Sequence, residues 1–209
     1  MNFFEKYKWL IPMQLFIGGL IISRVLYTHS TAFLFIPWNL FLAIIPLYLS
    51  FRLQKTTNNH TGWLLIGAWL LFFPNAMYII TDIFHLKDDR GVPPWYDLLI
   101  LFSSAISGVI VGFLSLRNVE TYLVRQMGNR YISAIVFGFF FLCGYGIYLG
   151  RYLRWNSWDI VTQPFSLLLD IKQDVLHPWR NNQCWMLSIL FGVWLHILYR
   201  YFKGVARLR

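Results

Sequence analysis

The segment Leu71-Phe72-Phe73-Pro74-Asn75-Ala76-Met77-Tyr78-Ile79-Ile80-Thr81-Asp82 lies inside an apolar run long enough to cross a bilayer, yet it holds a proline, an asparagine and an aspartate. A carboxylate at mid-membrane costs about 2.5–3.5 kcal/mol on insertion scales. A chain that keeps one there must compensate it with groups from other helices. On a helix Asn75, Tyr78 and Asp82 (i, i+3, i+7) share one face, and His85 follows one turn further on. Asp82 stands about 10 Å along the axis from Asn75. Pro74 removes a backbone donor and strands the carbonyl of Leu70. The Asn75 amide is placed to satisfy that broken ladder, a structural alternative to a functional role.

The rest of the 209-residue chain fits a membrane reading. It is 57% hydrophobic and only 13% charged, with mean hydropathy +0.52; a soluble domain carries about 25% charged residues. The apolar residues cluster in runs of about 20, the length that spans the hydrocarbon core. Six such runs are expected at 9–28, 32–51, 62–84, 95–116, 131–152 and 184–202. The predicted fold is an all-α polytopic bundle forming one domain over 1–209. Pro37 fits a first helical turn, whereas Pro46 falls inside a helix. Val92-Pro93-Pro94 is a natural start for span four. Ser104, Gly108 and Gly112 form a small-residue seam along that span, and Gly146-xxx-Gly150 suggests the same for span five. Between spans five and six, Pro164–Leu176 reads as a short helix, lying in the interface or packed on the bundle. Cys143 and Cys184 have no metal-ligand spacing and are read as packing residues. His196, within span six, is read the same way. The sequence contains no motif for a cofactor or metal.

Orientation follows from the basic residues. With six spans, one side carries Lys6, Lys8, Arg52, Lys55, Arg117, Arg125, Arg130, Arg200, Lys203, Arg207 and Arg209, and the other Arg24, Lys87, Arg90, Arg151, Arg154, Lys172 and Arg180. The excess puts both termini in the cytoplasm of a cell that inserts the protein in its plasma membrane. It also accounts for the net charge of +9 without nucleic acid, which we set aside as a partner. Seven of the nine acidic residues fall on the outer side, with Trp38, Trp95, Trp155, Trp158, Trp179 and Trp185.

At that outer boundary polar residues from distant segments reach one depth. Asp97 begins span four. Tyr148, Arg151, Tyr152, Trp155 and Asp159 form a stripe leaving span five, with Arg154 and Asn156 beside it. Carboxylates and guanidiniums near a bilayer interface pair. We therefore expect an outward polar pocket walled by spans three, four and five, with Asp82 and Asp97 opposite Arg151 and Arg154. Its binding candidates are Asn75, Tyr78, Asp82, Asp97, Arg151, Arg154, Asn156 and Asp159, and its acid–base or metal-ligand candidates Asp82, Asp97 and His85.

The same residues carry a resemblance. LLFFPNAMYIITDIFHL, VPPWYDLLILFSSAISGVIVGFLSL and GIYLGRYLRWNSWDI are similar to blocks of the domain of unknown function 1361 family of bacterial integral membrane proteins, over roughly residues 60–175. The resemblance implies a multi-span bacterial membrane protein and brings no activity with it. Three readings stand. The pocket binds or processes a lipid head group or lipid-linked phosphate, with the arginines on the phosphate. Alternatively, the cluster only locks helices in a structural or partner-binding protein, as a homo-oligomer or with another membrane protein. In the third reading the chain is a small proton-coupled transporter with Pro74-Asn75 as its helix break.

Overall fold

A computed structural model describes residues 2–86 and 91–207. Lys87, Asp88, Asp89, Arg90 and Arg209, counted above for orientation, lie outside the described residues. The secondary structure is helical throughout: α1 (Phe3–Tyr7), a 3₁₀ turn (Lys8–Leu10), α2 (Ile11–Thr28), α3 (Phe35–Lys55), α4 (Asn59–Tyr78), a 3₁₀ segment (Ile79–His85), α5 (Pro94–Met127), α6 (Ile132–Arg151), α7 (Asp159–Thr162), α8 (Pro164–Leu176) and α9 (Asn182–Arg207). Six helical stretches are long and apolar enough to cross a membrane: Phe3–Thr28, Phe35–Lys55, Asn59–His85, Pro94–Met127, Ile132–Arg151 and Asn182–Ala206. The chain is a polytopic all-helical membrane protein.

Local chemistry sets several of the ends. The Asn2 side chain caps α1 by accepting from the Glu5 N–H at 2.8 Å, and Asn58 caps α4 by accepting from the His60 N–H at 2.9 Å. Pro164 starts α8 from a position whose missing N–H costs nothing. α5 overruns the boundary expected at 116, because nothing breaks it before Gly128, which takes a left-handed φ of 74° just past Met127. Its 34 residues reach about 51 Å at helical rise, well beyond a hydrocarbon core of about 30 Å. α4 also departs from expectation. It stays α-helical through Pro74-Asn75 and tightens to 3₁₀ only at Ile79. The Asn75 amide donates to the Phe72 carbonyl at 3.0 Å, where the sequence pointed to Leu70.

By its internal contacts the chain divides into two compact units, Met1–Val119 and Glu120–Arg209, with the boundary inside α5. In the first unit, one core gathers Ile17, Ile21, Phe33, Ile36, Leu40, Ala76, Ile79 and Ile100. The seam on α5 is used within the chain: a Cβ added at Gly108 would lie 2.5 Å from the Ala76 carbonyl oxygen, and one at Gly112 would overlap the end of Met77. Polar groups on neighbouring helices satisfy each other, the buried Trp69 donating to Ser115 at 3.2 Å and the half-buried Gln14 to Ser107 at 2.6 Å. At the N-terminal end, the Asn118 amide donates to the Tyr7 hydroxyl (2.8 Å) and to Ser50 (3.0 Å), while the Lys6 ammonium donates to Gln54 at 3.4 Å and to Asn118 at 3.5 Å. This network ties α1 to α3 and α5.

In the second unit α6 and α9 approach closely where Gly144 meets the Ser188 backbone and Gly192 meets Phe141; a Cβ on Gly144 would sit 2.8 Å from the Ser188 carbonyl oxygen. Small residues carry this packing, Gly144 on α6 and Gly192 on α9. Cys143 and Cys184 are buried and unbonded to one another. His196 stands edge-on to Phe137 at 5.7 Å. Tyr199 and Lys203 of α9 both donate to the Glu120 carboxylate. α8 is inside out by the standards of a soluble protein. Its inward face carries Leu167, Asp170, Ile171 and Asp174, with Asp174 only 2% exposed, while Phe165 (81% exposed), Leu168, Leu169 and Leu176 point away.

Candidate functional site

Pro94 opens α5, which sets Asp97 in its first turn, where the helix dipole favours a carboxylate. Sequence spacing puts Asp97 opposite Arg151 and Arg154. The structure gives it Arg24, one turn before the end of α2. Nε of Arg24 donates to Oδ1 of Asp97 at 2.6 Å and Nη2 to Oδ2 at 3.1 Å. Both residues are 1% exposed. The Phe33 ring lies under the guanidinium, 4.2 Å from Cζ, a cation–π arrangement strengthened by the absence of water. Nη1 is buried without a hydrogen-bond partner among the described residues. Tyr96 fastens the same two helices, its hydroxyl 2.5 Å from that of Ser23 and donating to the Leu20 carbonyl at 3.0 Å.

Asp82 is also 1% exposed. It accepts from the Asn39 amide of α3 at 2.9 Å, so it too has a partner from another helix, as the opening segment required. Next to it the Thr81 hydroxyl donates back to the Tyr78 carbonyl at 2.6 Å. His85 packs its ring on Phe35 at 5.0 Å. Asn75 and Tyr78 are half-buried on α4. Among the described residues no group of three or more His, Cys, Asp or Glu side chains is arranged to hold a metal ion.

In the second unit Arg151 is the half-buried last residue of α6. Arg154 is exposed and takes a left-handed φ of 63°, which costs a side-chain-bearing residue about 1–2 kcal/mol. The turn this creates brings the Trp155 N–H to the Leu149 carbonyl at 3.0 Å. Asn156 and Asp159 do come together: Asp159 accepts from the Asn156 N–H at 2.7 Å, from its amide at 3.1 Å and from Thr162 at 2.9 Å. The neighbouring carboxylates are bound by neutral donors too. Trp155 donates to Asp170 at 2.8 Å, and Tyr145 and Asn181 donate to Asp174 at 3.0 and 2.8 Å.

The Asn156 backbone N–H, helped by Thr162 and the Asn156 amide, holds the Asp159 carboxyl below the usual carboxylate range. A depressed pKa in the folded state means that Asp159 contributes stability in full above its unfolded value of about 3.9 and loses it as pH falls through the folded one. Asp159→Asn should remove this acid-side loss, so the wild-type and variant unfolding midpoints should converge as reconstituted protein is titrated from pH 7 downward.

With this geometry in hand, comparison with known proteins is informative on one point. A family model described as "Protein of unknown function (DUF1361)" matches residues 38–198. The chain belongs to the DUF1361 family. No curated protein and no solved structure matches it. The matched span of this DUF1361 protein includes Asn39, Asp82, Asp97, Arg151, Arg154, Asn156 and Asp159, whereas Arg24 precedes it.

Three partners in this DUF1361 protein escape a reading of sequence alone. Arg24 resembles the flank of span one, and Asn39 is overshadowed by Trp38 beside it. Asp174 sits in a short helix whose apolar residues draw attention first. For Arg24 and Asn39 the available signal was a polar side chain near a span end, and for Asp174 a carboxylate on a short helix of mixed polarity; each costs too much to bury unpaired.

Proposed function

We propose that this DUF1361 protein lies in a cell membrane with both termini cytoplasmic. Its extracytoplasmic surface binds an anionic lipid head group or a lipid-linked phosphate, with Arg154 as the principal cation and Arg151 beside it. The charge bias of the connecting segments supports the orientation. The observation that carries the ligand class is the state of Arg154. It is an exposed guanidinium on a strained backbone, flanked by Trp155 and Trp158, and it makes no ion pair among the described residues. The carboxylates of its unit, Asp159, Asp170 and Asp174, accept from neutral donors. A guanidinium fork left free at a tryptophan-rich membrane surface suits a phosphate. A non-glycine residue kept at positive φ is where strain points to function.

A second reading accounts for different residues. Arg24–Asp97 is buried at both ends, and Asp82 is buried against a half-buried Asn39; both bonds lock helices together, so in this reading Asp82 and Asp97 have structural rather than acid–base roles. The test separates the two. Protein in nanodiscs is titrated with brominated phosphatidic acid, and quenching of its tryptophans is followed. Arg154→Gln should weaken binding about tenfold, the loss expected for hydrogen bonds to a charged group of about 1.5–3 kcal/mol, with folded yield unchanged. Asp82→Asn should lower folded yield. Identical quenching curves for wild type and Arg154→Gln would leave only the locking role.

A further inference from the structure

At the N-terminal end of the first unit, two adjoining cavities of about 190 and 570 Å³ share Phe3, Phe4 and Ile44 in their walls. Together they form an open, almost wholly apolar groove between the α1–α2 junction and α3, with the buried Leu47 and Val111 among its lining. We infer that this groove binds an anionic phospholipid of the leaflet on the N-terminal side, one acyl chain along the groove and the phosphate between Lys8 and Arg52.

The groove is built into the fold. α1 passes into α2 through the Lys8–Leu10 3₁₀ turn, where the Tyr7 backbone leaves helical geometry (φ −118°, ψ 9°). It is held there by the bonds from Asn118 to Tyr7 and from Lys6 to Gln54. Phe3 packs on the rings of Tyr7, Tyr48 and Phe51 at 5.1, 5.5 and 5.4 Å. The walls therefore cannot close on each other. Water gains nothing in such a space, since it needs two to four polar partners; in a bilayer the occupant is an acyl chain. The rim supplies the choice of head group. Lys8 lines one cavity and is two-thirds exposed; its only ion pair among the described residues is a solvent-exposed one with Glu5 at 3.4 Å, a weak kind of pair. Arg52 bonds the hydroxyl of Tyr48, which lines the other, at 3.3 Å. Basic residues at a membrane surface attract anionic lipid, and long basic side chains extend to the interface while their stems stay in apolar surroundings.

This site is in the other unit from Arg154 and does not rest on the phosphate reading there. The test uses the full chain in nanodiscs of phosphatidylcholine with a minor fraction of phosphatidylglycerol, released into the gas phase for native mass spectrometry. Wild type should retain phosphatidylglycerol several-fold over its share of the bilayer. The Lys8→Gln/Arg52→Gln variant should retain lipid with no preference. Ile44→Trp, which fills the groove from its lipid-facing side, should lose retained lipid of both kinds, and the milder Ile44→Phe should lose part. Circular dichroism identifies any variant that misfolds, in which case the charge variant alone decides. Equal retention of both lipids by wild type, undiminished retention by folded Ile44→Trp, or a dimer that Ile44→Trp dissociates, showing a second copy in the groove, would overturn the inference.

Discussion

Arg24→Met should destabilise the protein by about 3–5 kcal/mol, the cost of leaving one member of a buried pair without its counter-charge. Asp97 accepts both of its bonds from one guanidinium and is buried. Without Arg24 its carboxylate must either stay ionised in an apolar setting or take up a proton. The partner change Asp97→Leu alone should cost a similar amount. The double variant Arg24→Met/Asp97→Leu should recover most of the loss, because two apolar side chains of similar volume need no pairing. Thermal unfolding of the four proteins in one detergent, read as a double-mutant cycle, measures the coupling. Simple addition of the two single losses would show that the pair does not act as a unit.

The second large effect is expected at Gly108. A Cβ there would meet the Ala76 carbonyl oxygen at 2.5 Å, and backbone cannot rotate away as a side-chain tip can. Gly108→Leu must push α4 and α5 apart, at a cost of at least the 1–3 kcal/mol typical of overpacking. Gly67, on the same α4, is the control: nothing lies within 4 Å of its Cβ position. Gly67→Ala should therefore stabilise by about 0.5–1 kcal/mol through helix propensity alone. Folded yield and midpoint temperature, measured side by side, check both signs.

The spans were legible because hydropathy over about 20 residues is a strong, local signal. The apolar run of span four and its helix have different ends: Arg117, Asn118 and Glu120 close the apolar run, but they are helix-compatible residues and α5 continues through them to Met127. The partners of Asp82 and Asp97 were not legible in the sequence. A sequence places Asp82, Asp97, Arg24 and Asn39 near one end of their helices, but the direction in which each side chain leaves its helix depends on packing. The Arg24–Asp97 and Asn39–Asp82 bonds join residues 73 and 43 positions apart. Pro74 removes a backbone donor, yet α4 runs through it and the change to 3₁₀ geometry begins five residues later, at Ile79. The left-handed turn at Arg154 has no sequence signal, since arginine is not a residue that prefers it.

The reversed polarity of α8 bears on how this protein behaves once taken out of its membrane. Phe165, Leu168, Leu169 and Leu176 are all exposed on α8, and in water a contiguous apolar strip of this kind is adhesive. Multimers that form in a poorly shielding surfactant and vanish in a bilayer mimetic would report that strip rather than a native assembly.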